Sequence, residues 1–348
     1  MNHAADWHSA DSLPKHDSTD WAIRKGRKTK LASLEYIASA VQRWHPLQPI
    51  LVGVPNSHTY VPPSEVAELD SAVRSFQKRS TLSLLMLLLG SIVLFVLWFE
   101  SQNHRAAPVY IPLSMLTLIV GVDYVAFLRH RSILSERARF YYWLQQSSLP
   151  RVAFATWTVV AVAMGALQLM LQAQYGNLEN AVSHYGAVYT SIRGGEYWRL
   201  ITGPFYHLDL AHYLNNAFSM AFIGVFAWIA CGPMCLAAFL IGNVVAAFAQ
   251  MQLGTGTFDT YLGVSGGVFS LYGLVAAIGF GKKQPFPQGF TLICILIGLS
   301  SAVGAELLLK SAASVAHVAG AIVGIVFGLI FDTISAVARH GSVQAIGK

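Results

Sequence analysis

The chain has 348 residues, 54% of them hydrophobic and only 11% charged, against roughly 25% charged in an ordinary soluble domain. A mean hydropathy of +0.50 points the same way, to an integral membrane protein. For such a chain the net charge of +6 is a topology signal, and a nucleic-acid partner is not expected.

The first 30 residues hold no apolar h-region, so no cleavable signal peptide is expected. They mix histidine, aspartate and serine and end in "RKGRKTK" (24–30), a composition that reads as a solvated, disordered tail. His3, His8 and His16 belong to that tail and read as solvated, not as metal ligands. Residues 31–44 have amphipathic helical spacing, 45–63 are broken by proline, and 64–79 form another short helix. This front part is too short and polar to bury a large core alone, and the expectation is a small cytosolic region over 1–79.

A membrane span needs about 20 apolar residues. The segments at 81–99, 108–127, 152–172, 211–230, 234–251, 264–280, 290–309 and 313–332 qualify or nearly do. Cations fix the orientation. Lys78 and Arg79 precede the first span, Arg129, Arg131, Arg137, Arg139 and Arg151 lie between the second and third, Lys282 and Lys283 between the sixth and seventh, and Arg339 and Lys348 after the last. An eight-span count puts all of these on one side, taken as the cytoplasm. Asp123 then sits near the cytoplasmic end of the second span, and Glu306 pairs with Lys310 near the outer end of the seventh. The connection 173–210 is rich in aromatics and reads as a long loop lying partly in the membrane interface. Cys231, Cys235 and Cys294 lie in or beside apolar segments and give no disulfide framework. Cys231 and Cys235 lack a nearby histidine and make a poor metal pair, so the expectation is no metal and no cofactor.

Polar groups inside spans are costly and mark function. The fourth span enters from outside with His212 and Asn216, four residues apart and on one helix face. The sixth enters from the same side with Ser265 in its first turn, and the eighth with His317 about one turn in. Gly320, Gly324 and Gly328 fall within about 60° of His317 around its helix, a seam that lets another helix approach closely. Gly263, Gly266 and Gly267 around Ser265 are a matching surface. The combination suits a serine nucleophile, Ser265, with His317 as its general base. His212 and Asn216 would supply donors to a developing oxyanion. Packing residues in a small-residue seam, or a pore-lining polar pair, are the competing readings.

These residues resemble the rhomboid intramembrane serine proteases in "YWR" (197–199), "HLDLAHYLNN" (207–216), "GVSGG" (263–267) and "AHVAGAIVG" (316–324). The ordered set is specific where each piece alone is not. The resemblance covers about 150–335 and implies an all-α polytopic fold. That fold is a six-helix catalytic core; the resemblance does not reach 1–149, where the apolar pattern itself gives two additional transmembrane helices and a basic loop over 80–149, and a short tail, 336–348, follows the core. It implies a Ser265–His317 dyad without an acidic third member, and an oxyanion hole of His212, Asn216 and the Ser265 amide. Gly263 fills the family's glycine two before the nucleophile. Trp198 and Arg199 would structure the outer loop, and His207 matches a family histidine outside the dyad. Four residues after the serine the family frequently has tyrosine; here Phe269 keeps the ring and lacks the hydroxyl. The implied activity is endopeptidase cleavage of membrane proteins carrying a transmembrane helix, in a bacterial inner membrane with both termini cytoplasmic. An inactive, client-binding relative and a small-solute transporter are the rivals. No inverted repeat supports the transporter.

Overall fold

The computed structural model describes residues 7, 13–45, 48–101, 107–254, 259–281, 284–309 and 313–346. The protein is mostly helical and divides into two compact units, Ala5–Ser148 with Phe286–Ser300, and Leu149–Pro285 with Ser301–Lys348. His3, His8 and Lys310, and with Lys310 its pairing to Glu306, lie outside the described residues.

The front unit opens with a small sheet that the sequence reading did not contain. Strands β1 (Ala22–Lys25) and β2 (Lys28–Leu31) form an antiparallel hairpin, turned at Gly26, whose φ of +58° suits glycine. Helix α1 (Leu34–Gln42) follows, capped by the Ser33 side chain on the Tyr36 amide. Strand β3 (Ile50–Gly53) pairs with β1, and β4 (Tyr60–Val61) with β3. The stretch expected to be a disordered tail is thus partly ordered. His16 is buried, its ring 4.9 Å from that of Tyr60, and Gly53 leaves room for it, since a β-carbon there would stand 2.6 Å from the imidazole.

The reason is that the sheet does not build its core alone. Helix α2 (Asp70–Ser101) runs without a break from its soluble first turns into an apolar span. Val73 and Phe76 on α2 join Ile23, Ile37, Trp44, Ile50 and Val52 in one core. From Leu82 onward most of the described apolar side chains of α2 are exposed, as a lipid-facing surface requires. Helix α3 (Ala107–Asp123) continues through a π-helical turn, Tyr124–Leu128, to α4 (Arg131–Gln146). Tyr124, Leu128 and Leu134 close the same core.

At that turn Arg137 grips Asp123 with two hydrogen bonds, of 2.8 and 2.6 Å, and its side chain is 5% exposed. Asp123 is a structural ion-pair partner in this fold. Removing one member of a buried pair strands the other's charge, at about 3–5 kcal/mol. Asp123→Ala should therefore lower the thermal midpoint in detergent strongly, whereas the apolar pair Asp123→Leu with Arg137→Met should recover most of the loss. Equal melting of Asp123→Ala and wild type would contradict a buried, dry pair.

The second unit starts with α5 (Leu149–Tyr175), α6 (Leu178–Tyr185), β5 (Ala187–Val188), α7 (Tyr189–Arg193) and α8 (Arg199–Thr202). The segment expected to be a long loop is therefore mostly short helices. Then come α9 (Leu210–Cys231), α10 (Met234–Leu253), β6 (Thr260–Tyr261), α11 (Ser265–Gly279), α12 (Phe290–Leu309) and α13 (Ser314–Ile346). Cys231, Cys235 and Cys294 are free and buried.

Among the described residues six helices are long and apolar enough to cross a membrane, and Ser265–Gly279 and Phe290–Val303 are shorter apolar helices. Together these match the eight segments read from the sequence. The chain is an integral, multi-pass membrane protein.

Candidate active site

Helix α11 is the centre of the second unit, packed against α9, α10 and α13 and buried nearly all round. Its 15 residues rise about 22 Å, short of a hydrocarbon core about 30 Å thick. At least one of its ends therefore lies inside the bilayer. Ser265 is its first residue.

Glycines fix how closely α13 approaches. A β-carbon on Gly320 would stand 2.0 Å from the Gly266 carbonyl oxygen, and one on Gly324 only 1.8 Å from that of Ser270. From the other side, one on Gly273 would meet the Ala321 carbonyl oxygen at 2.1 Å. The two backbones are in direct contact, and His317 reaches Ser265 because of it. The distance from His317 Nε2 to Ser265 Oγ is 3.0 Å. Phe269, one turn below Ser265, stacks on the imidazole at 4.4 Å between ring centres and 23° between planes.

Gly263 brings in the third element. Its φ of +101° is accessible to glycine alone, and a β-carbon there would lie 2.6 Å from the His212 ring and 3.3 Å from Asn216 Nδ2. The α9 side chains His212 and Asn216 thus press against the backbone two residues before Ser265. Asn216 is 3% exposed and among the described residues its Nδ2 has no hydrogen-bond partner, a buried donor without an acceptor. Helix α9 itself starts at Asp209, whose carboxylate accepts from the His212 amide at 2.7 Å.

The four N-terminal amides of a helix have no partner inside it, and here each has a different fate. Gly266 N–H donates to the Tyr261 hydroxyl at 3.2 Å, Gly267 N–H to Asn243 Oδ1 at 2.9 Å, and Val268 N–H to the Val264 carbonyl at 3.0 Å. The Ser265 amide has no acceptor among the described residues. The Asn216 amide and the His212 ring lie against Gly263, two residues before Ser265.

The remaining residues singled out in the sequence support this cluster from outside. Arg199 is buried; its Nε bonds Glu196 at 2.5 Å and its Nη1 donates to the Gly186 carbonyl at 3.1 Å, with the guanidinium 4.8 Å over Trp198. Trp198 is itself partly exposed and meets Tyr185 edge-on. His207 is fully buried, its ring 5.2 Å from that of His212. Burial first, and the neighbouring His212 second, push its pKa down to about 3, so it is neutral.

Four polar residues escaped the sequence reading. Gln168 on α5 clamps the His207 backbone through both its amide atoms, at 2.9 and 3.0 Å. Gln250 accepts from the Ala316 amide beside His317 at 3.1 Å. Asn243 holds Gly267, and Tyr261 holds Gly266. The signal for the first three was a polar side chain in an apolar span; Tyr261 lies outside any span.

Comparison with curated proteins finds no match. Residues 194–333 match the family model of the Rhomboid domain, a stretch that contains all of the cluster from Trp198 to His317. Through these residues the chain carries a Rhomboid domain.

Proposed function

We propose that the protein is an intramembrane serine endopeptidase in which Ser265 is the nucleophile and His317 its base. The observation that carries this reading is the 3.0 Å contact between Ser265 Oγ and His317 Nε2, set at a helix start that lies against the Asn216 amide and His212. In the reaction, Ser265 Oγ bonds to the scissile carbonyl carbon as its proton passes to His317 Nε2. The carbonyl oxygen gains negative charge and accepts from the Ser265 N–H, Asn216 Nδ2 and the His212 ring. Collapse breaks the C–N bond, and His317 returns the proton to the leaving amine. Water then repeats the sequence on the acyl-serine. Phe269 holds the imidazole plane by stacking, which supplies orientation.

The loops rich in cations would face the cytoplasm of a bacterial inner membrane, placing Ser265 toward the opposite face. The substrates that fit are single-span proteins with small, helix-breaking residues near that face, because a helix must unwind to offer its backbone to a nucleophile. The inactive-relative reading has no support from the site, where both dyad side chains are present and in contact.

The test is kinetic. Removing one oxyanion donor typically costs a hundred- to thousandfold in rate, about 2.7–4 kcal/mol. Asn216→Ala and His212→Ala should therefore lower kcat in proteoliposomes with little change in KM, because the oxyanion contact exists only in the transition state. Labelling of Ser265 by a fluorophosphonate should slow in parallel. A rise in KM alone would move the pair to substrate docking and defeat the oxyanion assignment.

A further inference from the structure

Tyr261 stands four residues before Ser265, in a strand and not on the catalytic helix. Strand β6 pairs with β5 so that Tyr261 lies opposite Ala187, and the Asp259 carbonyl accepts from the Tyr189 amide at 2.8 Å. The ring packs among Ala187, Ile192, Leu200, Ala246 and Ala316 and is 2% exposed. Its position is thus set by the segment 187–200, through strand pairing and a shared apolar cluster. Its hydroxyl emerges beside the dyad, 3.5 Å from Ser265 Oγ and 3.2 Å from the Gly266 amide.

The direction of these bonds follows from what each group can give and take. Gly266 N–H only donates, so the tyrosine oxygen accepts from it. The tyrosine proton is buried, and among the described residues Ser265 Oγ is the acceptor within its reach. Were Ser265 to donate to the tyrosine instead, the phenol proton would be left buried without an acceptor, a costly state, and His317 would lose the serine proton. One arrangement satisfies every group: Gly266 N–H to Tyr261, Tyr261 O–H to Ser265, Ser265 O–H to His317 Nε2. Bonds aligned in one direction also reinforce one another.

We propose that Tyr261 is a positioning residue, whose hydroxyl, fixed by the Gly266 amide, donates to Ser265 Oγ and thereby aims the serine proton at His317. This rests on the protease reading above. As the proton moves to Nε2 and Oγ bonds to the carbonyl carbon, the tyrosine donor stays in place and steadies the charge passing through Oγ. Its own proton never leaves, since burial raises the phenol pKa above its ordinary value. The hydroxyl missing at Phe269 thus has a counterpart on the other side of the serine, delivered from a different element.

The experiment uses the full-length protein in proteoliposomes, with a fluorophosphonate probe and a single-span substrate. Tyr261→Phe keeps the ring and removes the hydroxyl. Labelling of Ser265 and kcat should both fall about tenfold, the scale of one hydrogen bond's net contribution. KM should stay within about twofold, and the same number of sites should label at completion. Ser270→Ala is the folding control. Ser270 lies on the same helix as Ser265; its substitution removes a buried hydroxyl bond of 2.7 Å to the Ala238 carbonyl of α10, and should lower the melting temperature while leaving kcat unchanged. A Tyr261→Phe protein that labels and cleaves at the wild-type rate overturns the proposal alone. So does one whose completed labelling drops while its surviving sites react at the normal rate, which marks a purely structural role. Wild type no more reactive than Ser265→Ala overturns the protease reading and this proposal with it.

Discussion

Gly324→Leu should yield a protein in which α13 no longer packs on α11. The β-carbon alone would stand 1.8 Å from the Ser270 carbonyl oxygen, and that obstacle is helical backbone that no rotamer change can clear. The helices must separate along the seam, so even Gly324→Ala is expected to be damaging. Overpacking a tight core costs about 1–3 kcal/mol and occasionally more; with backbone on both sides, leucine belongs at or beyond the upper end. The thermal midpoint in mild detergent should fall by about 10 °C, and cleavage should disappear with it, since Ser265 and His317 face each other across the same seam. Gly320→Leu should behave alike, its β-carbon meeting the Gly266 carbonyl oxygen at 2.0 Å. Gly328→Ala should be milder, because the group it meets is the Ala277 methyl at 2.6 Å, further from the site. Val318 and Ile322, 60% and 56% exposed on the lipid side of the same helix, are the controls. Val318→Leu and Ile322→Leu should change neither melting nor activity.

Ser265→Ala and His317→Ala should each reduce cleavage by at least about a thousandfold, and the double variant should be little worse than either. The non-additivity follows from the geometry: with the serine hydroxyl gone the imidazole has nothing to activate, and with the imidazole gone the hydroxyl keeps its proton. Ser265→Ala should melt close to wild type, because it removes one half-buried oxygen and opens no cavity. His317→Ala empties space beside the Phe269 ring and should melt somewhat lower, so His317→Gln, which refills that space, serves as the second arm. Fully additive losses in the double variant would show that the two side chains act independently.

The membrane part of this fold was legible because lipid imposes long apolar runs, and the cationic loops between them set the alternation. The Ser265–His317 contact was legible for a related reason. Ser265, His317, Gly320 and Gly324 advertise themselves by being small or polar where leucine would serve, and helical periodicity places them on facing surfaces. What stayed hidden depends on contacts between distant residues. Strands β1 and β3 are four residues each and lack a hydrophobic face large enough to stand alone; α2 and the Tyr124–Leu134 region supply the rest of the core from distant parts of the chain. Nothing local in "RKGRKTK" distinguishes a hairpin from a solvated tail. Tyr261 was hidden for the same reason, since its hydroxyl reaches Ser265 only after β6 has paired with β5, more than 70 residues earlier in the chain. Arg137 and Asp123 were read as two separate charges, and only the turn at Tyr124–Leu128 makes them one buried pair.

The most direct measurement is cleavage of a single-span membrane protein by the purified chain in proteoliposomes, wild type beside Ser265→Ala, with the products identified by mass. The wild type should cut once, near the end of the substrate span on the face opposite the cationic loops, and a fluorophosphonate should block cleavage while labelling Ser265. Ser265→Ala should give neither product nor label. Cleavage by Ser265→Ala at the wild-type rate, or a labelled serine at any other position, would contradict the assignment of Ser265 as the nucleophile.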